Sequence, residues 1–179
     1  MIIRVLQQSD AEMYHNLRLN GLQTNPEAFG STYDRESQFS IETVTERIKP
    51  TMEKFVLGAF MEQGILVGIV TFVRESSIKT SHKGNVYGMY VTQEMRGNGI
   101  GKALMLQLIK KARDCEGLEQ LNLAVVSNNV SAMSLYQSVG FVTYGVERNA
   151  LKYNDEYYDE DLMVLPLKGH FISRGGLIQ

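Results

Sequence analysis

Hydrophobic positions recur at two different spacings along the chain, and each switch between them marks a boundary between elements. Residues 2–6 form a short β-prone run that ends near Ser9, where Ser9 and Glu12 stand at the spacing of a capping box. Met13, Tyr14 and Leu17 then recur with helical spacing to about Leu22, and Asn25-Pro26 interrupts them. A second helix is predicted over 40–49, with Ile41, Val44 and Ile48 on one face and Pro50 as the stop. Residues 54–60 and 65–74 are β-rich and flank Met61-Glu62-Gln63-Gly64, a hairpin signal. Residues 75–83 are polar and read as a loop, and 85–91 as a third strand of this group. The pattern then changes. Ile100, Leu104, Leu108 and Ala112 recur every four residues beside Met105 and Ile109, with Lys102, Lys110, Lys111 and Arg113 elsewhere, as in an amphipathic helix. A strand at 121–126, a short helix at 130–139 closing at Gly140, and a hairpin of 142–153 and 157–165 around Asn154-Asp155-Glu156 complete the pattern. Strands followed by strand–helix–strand–helix predict an α/β (α+β) fold with a central mixed sheet and helices on both faces. No repeat or linker divides the chain, so one domain is expected over 1–168, followed by a patternless tail at 169–179.

Composition narrows the function classes. With 179 residues, 44% of them hydrophobic, the chain can build an ordinary core without a metal or disulfide. Eighteen basic residues against twenty acidic ones give a net charge of −2, which argues against a protein that coats nucleic acid. The longest apolar stretch, 64–73, is half of the roughly 20 residues that a membrane helix needs, and its Ile and Val content suits a buried strand. The first residues lack the features of a signal peptide, and the lone Cys115 suits a reducing compartment. A soluble, cytoplasmic protein with no nucleic-acid or membrane partner is therefore expected. His15, His82 and His170 are too scattered for a metal site, and Cys115 has no visible base. Met13, Met89, Met105 and Met163 read as core filling.

The informative segment is Arg96-Gly97-Asn98-Gly99-Ile100-Gly101-Lys102, between a strand and the amphipathic helix. Glycine permits unusual backbone angles and leaves room for a bulky ligand. The first amides of a helix lack intrahelical partners and point outward at its positive end, which suits a phosphate or pyrophosphate. Arg96 and Lys102 add positive charge; a tight connecting turn is the bland alternative. The dinucleotide fingerprint fails because the positions that require its last glycine hold Lys102 or Leu104. The Walker pattern fails because Arg96 and Ala103 stand where glycine and Ser or Thr are required.

The pattern that matches is R-x-x-G-x-G, as Arg96, Gly99 and Gly101, after the strand Tyr87-Gly88-Met89-Tyr90-Val91. Downstream stand Asn129-x-x-Ala132-x-x-Leu135-Tyr136 and Gly140-Phe141. With these two ordered motifs the chain resembles the GNAT superfamily of N-acetyltransferases, most strongly over 86–141. The order of elements, including Asn25-Pro26-Glu27-Ala28-Phe29-Gly30, extends the resemblance over most of the chain.

The resemblance implies the order β-α-α-β-β-β-α-β-α-β-β and acetyl-CoA as co-substrate, with no metal. It implies transfer of acetyl to a primary amine, a small molecule or a peptide, by direct attack in a ternary complex, and it admits a homodimer. A non-catalytic acyl-CoA-sensing module of the same fold is the alternative. In this family the strand at 85–91 splays from 121–126, and backbone groups at Met89, Tyr90 and Val91 would pair with the pantetheine arm. The loop residues 96–102 would hold the pyrophosphate. Asn129 is carried over as a contact to the arm, equally readable as the cap of the helix at Val130. Tyr136 is carried over as the acid that protonates the leaving thiolate, against a plain packing aromatic. Some members place a glutamate base on the strand before the loop, but 85–91 holds no carboxylate. Tyr87 and Tyr90 are its polar side chains with most reach, and simple alternation puts them on opposite faces. The acidic residues Asp155, Glu156, Asp159, Glu160 and Asp161 near the last hairpin could attract a cationic amine or form a solvated edge.

Overall fold

The computed structural model describes residues 1–168; the expected tail at 169–179 lies outside the described residues. The elements run β1 (Ile2–Val5), α1 (Ala11–Thr24), α2 (Tyr33–Glu36), α3 (Ile41–Ile48), β2 (Lys54–Phe60), β3 (Leu66–Arg74), β4 (Lys83–Val91), α4 (Ile100–Arg113), β5 (Gln120–Val126), α5 (Val130–Ser138), β6 (Val142–Tyr153) and β7 (Glu156–Pro166). This is the expected order with one extra helical turn, α2, which Thr32 starts by accepting a hydrogen bond from the Arg35 amide. The strands form one sheet in the order β1-β2-β3-β4-β5-β7-β6. Its neighbours are antiparallel except β4 and β5, which run parallel on either side of the α4 crossover.

The apolar stripes decide which helix covers which face. Leu104, Met105, Leu108, Ile109 and Ala112 of α4 are buried against Phe72, Val86, Leu121, Leu123 and Val125 of the sheet. The opposite face packs Tyr14 and Leu17 of α1 and Val44 and Ile48 of α3 on Val56, Ile69 and Tyr90. Both faces are thus covered, as the mixed sheet requires. Not every apolar position turns inward: Ile41 and Met13 are about two-fifths exposed, so Met13 is not core filling, whereas Met105 and Met163 are fully buried.

The last hairpin turn has a clear cause. Asn154 and Asp155 both take left-handed backbone angles, as the tight two-residue hairpin between β6 and β7 demands. The pairing of β6 with β7 slips between Thr143 and Gly145 and again between Glu147 and Leu151.

The start of α1 differs from expectation. Ser9 and Glu12 do not form the capping box; a short 3₁₀ turn at Gln8–Asp10 precedes the helix, and Asp10 Oδ2 accepts the Gln7 amide at 2.7 Å. The spacing of three residues is the same, but the carboxylate that caps is the one Arg4 can reach. Arg4 donates to both Asp10 oxygens at 2.6 and 2.8 Å. The Asp10 side chain is 5% exposed while that of Arg4 is 43% exposed, so water screens the charge pair and much of its value lies in the hydrogen bonds.

The Arg4 hydrogen bond, opposed by burial, holds the Asp10 carboxyl below its ordinary value. Replacing Asp10 by Asn is expected to cost about 1–3 kcal/mol at neutral pH, read from the urea midpoint at unchanged slope. A carboxyl with a lowered folded pKa stabilises above its unfolded pKa. The difference between wild type and D10N should therefore persist above about pH 4 and fade as pH falls through the folded value.

Candidate active site

The parallel ladder between β4 and β5 is short. Lys83 pairs with Gln120, Gly84 with Leu121 and Asn85 with Asn122, and there the pairing stops. Residues 86–91 and 123–126 continue as parted strands, lining a cleft of about 830 Å³. Its wall therefore includes stretches of strand whose facing edges have lost their pairing.

β4 is also irregular on its other side. Ile69 pairs with Tyr90 and Thr71 with Tyr87, so Gly88 and Met89 together oppose Val70. Gly88 has φ +58°, the left-handed conformation that suits a glycine bulge. The extra residue shifts the alternation by one. Tyr87 and Tyr90 consequently share the α1 face of the sheet instead of lying on opposite faces as simple alternation requires. Tyr90 is buried; its hydroxyl donates to Asn20 Oδ1 at 2.6 Å and lies 3.0 Å from Thr24 Oγ1. Its side chain thus clamps α1, leaving only its backbone for the cleft. Tyr87 is more than half exposed in the cleft, and partial desolvation there, aided by the charge of Glu75, raises its pKa. Met89 and Val91 face α4, where a Cβ on Gly101 would stand 3.1 Å from Met89 Cε.

The glycine loop turns into α4 as its spacing suggests. Gly97 and Gly99 have φ of +78° and +75°, and nothing lies within 4 Å of where their side chains would be. Ala103 bonds to Gly99 O at 3.0 Å, leaving the amides before it without intrahelical acceptors. Ile100 is buried and anchors the loop to the core, while Lys102 is exposed at the cleft. Two polar side chains are already engaged, Arg96 in tying the loop to its neighbours and Asn98 within the turn. Arg96 donates to Val91 O at 3.1 Å and to Asn25 Oδ1 at 2.7 Å, and Asn98 Nδ2 donates to Met95 O and Arg96 O. Arg96 still lines the cleft; Asn98 is the one expected cofactor residue outside the lining.

Asn129 caps α5, accepting the Ala132 amide on Oδ1 at 3.1 Å, and also lines the cleft. Tyr136 enters from α5, is 8% exposed and packs at a tilt 6.2 Å from the Phe141 ring. Burial pushes its pKa up to about 12.

Sequence reasoning missed three cleft residues, Gly88, Arg18 and Arg47, and left Glu160 as one member of an acidic set. Glu160 on β7 pairs in register with Val126, on the face opposite Leu123 and Val125, and lines the cleft. Burial, together with the charge of Glu147, raises its pKa. Gly88 gave no signal because the bulge depends on strand pairing. Arg18 and Arg47 line the cleft and both contact the buried Glu36. Arg18 was readable: Tyr14, Leu17, Arg18, Gly21 and Leu22 share one helical face, so an arginine stands in an apolar stripe. Among the described residues no three His, Cys, Asp or Glu side chains gather as a metal would need, and no helix is long and apolar enough to cross a membrane.

The sequence model of the acetyltransferase (GNAT) domain matches residues 3–162. The chain belongs to the GNAT acetyltransferase family. Mycothiol acetyltransferase of Paenarthrobacter aurescens is 42% identical over 64 residues, 36% of this chain and 20% of that protein. The L-amino acid N-acyltransferase MnaT of Escherichia coli is 32% identical over 81 residues, 45% of this chain and 46% of that protein. The chain thus spans less than half the length of either curated relative. The structure of yncA from Salmonella typhimurium, solved with its cofactor acetyl-CoA, superposes with a TM-score of 0.75 at 21% identity, covering 98% of this chain and 99% of that one. This GNAT domain therefore shares the mixed α/β fold of that neighbour.

The left-handed loop makes one prediction independent of any ligand. Gly99→Ala meets no clash, so its cost should be backbone strain alone, about 1–2 kcal/mol. Calorimetric melting would show that loss, and an unchanged melting temperature would contradict the left-handed turn.

Proposed function

We propose that the chain transfers an acetyl group from acetyl-CoA to a primary amine by direct attack in a ternary complex. The observation that carries this reading is the parted pair of strands, which opens a cleft between a loop of free amides and the buried Tyr136. The residues suit the co-substrate. The amides at the start of α4, with Lys102 beside them, favour a diphosphate. The unpaired edge of β4 around Met89 and Val91 offers main-chain groups to an extended amide-containing arm, as a neighbouring strand would. Asn129 has committed Oδ1 to its cap, so its Nδ2 is the group left for a contact. Acetyl-CoA supplies an activated acyl group as a thioester.

The amine nitrogen bonds to the thioester carbonyl carbon, the carbon–sulfur bond breaks, and the sulfur leaves with its electron pair. Tyr136 can supply the proton that sulfur takes up, because with a pKa of about 12 it remains a phenol throughout the neutral range. A backbone amide of the parted β4 edge can hold the carbonyl oxygen as negative charge develops there, an effect often worth roughly 3 kcal/mol. The amine must shed a proton, since an ammonium has no lone pair. Glu160 is the carboxylate suited to accept it: it stands in the cleft on the face opposite Tyr136, and its raised pKa makes it a better base than a solvated glutamate. An acid and a base on opposite sides of the gap match a reaction that protonates one atom while deprotonating another.

Thiol release from acetyl-CoA across a panel of primary amines tests this reading. Tight CoA binding with no amine acetylated would favour the sensing module instead. Tyr136→Phe should lower kcat by about 10²-fold or more while CoA affinity by calorimetry changes little. Equal loss in both would reduce Tyr136 to a packing role. If Glu160 is the base, the wild-type rate should fall with decreasing pH as the carboxyl takes up its proton. Glu160→Gln should then be slow and lack that acid limb, and an unchanged profile would remove Glu160 from the mechanism.

A further inference from the structure

One wall of the cleft carries more positive charge than its partners neutralise. Arg18 donates from Nε to Glu36 Oε2 at 3.1 Å and from Nη2 to Oε1 at 2.9 Å. Arg47 Nη1 approaches Glu36 Oε2 to 3.1 Å. Burial alone would raise the Glu36 pKa, but its bonds to Arg18 and the charge of Arg47 bring it below the ordinary value, so the carboxylate is ionised at neutral pH. Two guanidiniums thus share one negative charge. Lys54 lines the same cleft and spends its Nζ on a neutral carbonyl, Glu46 O, at 3.3 Å.

The excess charge coincides with an unmet hydrogen bond. Arg18 is 6% exposed, and its Nη1 is buried with no hydrogen-bond partner. An unpaired donor of this kind costs about 1–3 kcal/mol, more when charged, so such a group in a cleft wall is poised for an acceptor. Beside it the β4 bulge has removed a side chain. A Cβ at Gly88 would lie 3.8 Å from Arg18 Nη1 and 3.7 Å from Thr71 Oγ1. The glycine therefore leaves a notch about one methyl wide, bordered by a cationic donor and a hydroxyl. Both of those residues line the cleft, on the α1 face that also carries Tyr87.

We infer that the acceptor bears a carboxylate as well as its amine, as an α-amino acid does, and that the notch at Gly88 receives this carboxylate between Arg18 Nη1 and Thr71 Oγ1. The inference rests on the acetyl-transfer reading and names its substrate class. Arg47 supplies long-range attraction, and Glu160 remains available to the amine. The narrow notch favours a flat anion with two oxygens over a tetrahedral one. A guanidinium paired with a carboxylate makes the strong, charge-assisted kind of hydrogen bond.

The test compares thiol release from acetyl-CoA for free L-amino acids, their carboxamides, the corresponding alkylamines and aminophosphonates, using the full chain. Amino acids should exceed carboxamides by about 10²-fold or more in kcat/KM, since a site built to bond a polar group rejects analogues lacking it. Arg18→Gln should erase most of that preference, and Thr71→Val should reduce it by about 10-fold, with CoA affinity retained. If R18Q fails to fold, T71V and the more exposed Arg47→Gln carry the comparison. Equal turnover of carboxamides, stronger turnover of aminophosphonates, or a preference that survives in these variants would overturn the inference while leaving acetyl transfer intact. If no amine is acetylated, calorimetry of free amino acids with the CoA-loaded protein decides. Binding that R18Q or R47Q abolishes would uphold the notch and sink the transfer reading, whereas absence of binding would sink the notch.

Discussion

A peptide group in a sheet needs a partner, and the pairing of β4 with β5 withholds one after Asn85 and Asn122. The two strands sit in the middle of the sheet, so this is an edge created inside the molecule. Helices on both faces keep the parted strands from collapsing together: α4 and α5 pack from one side, α1 and α3 from the other. The bulge at Gly88 adds curvature to β4 and turns Tyr90 into α1, where its hydroxyl bonds to Asn20 and Thr24. The opening is therefore part of the packed fold.

Because the gap lies between two covered faces, it receives different chemistry from each. From α5 comes Tyr136, deeply buried and held neutral. From the α1 face come Tyr87 and the Arg18–Glu36–Arg47 cluster, with Glu160 on the same side from β7. At the end nearest α4 the loop contributes backbone amides, its own polar side chains Arg96 and Asn98 being occupied in holding its shape. Anion binding at that end would thus rest on main chain and helix field more than on charged side chains.

Much of this was readable from the chain alone, for physical reasons that differ between elements. The stripe from Ile100 to Ala112 gave α4 almost residue for residue, because a helix packed on a sheet shows its period directly. The glycines at 97, 99 and 101 permitted unusual backbone angles; Gly97 and Gly99 adopt left-handed ones, whereas Gly101 lies within α4. Two local features went unread: the cap at Asp10, set by Arg4 six residues before it, and the one-turn α2, started by the bond from the Arg35 amide to Thr32. Features that depend on partners distant in sequence stayed hidden as well. The shared face of Tyr87 and Tyr90 depends on a bulge that only pairing with β3 reveals. Glu160 looked like one acid among several until its register with Val126 placed it in the cleft.

The last hairpin leaves β6 as an outer strand with Val142, Tyr144 and Val146 exposed, a composition that could recruit strands from other molecules. The two slips in its pairing with β7, the second of them around the left-handed Asn149, interrupt the rim. An incoming chain would find only brief runs of aligned donors and acceptors, too short to propagate a stack. Irregularity at this border thus shortens the stretch of strand that a second chain could pair with beside its apolar side chains.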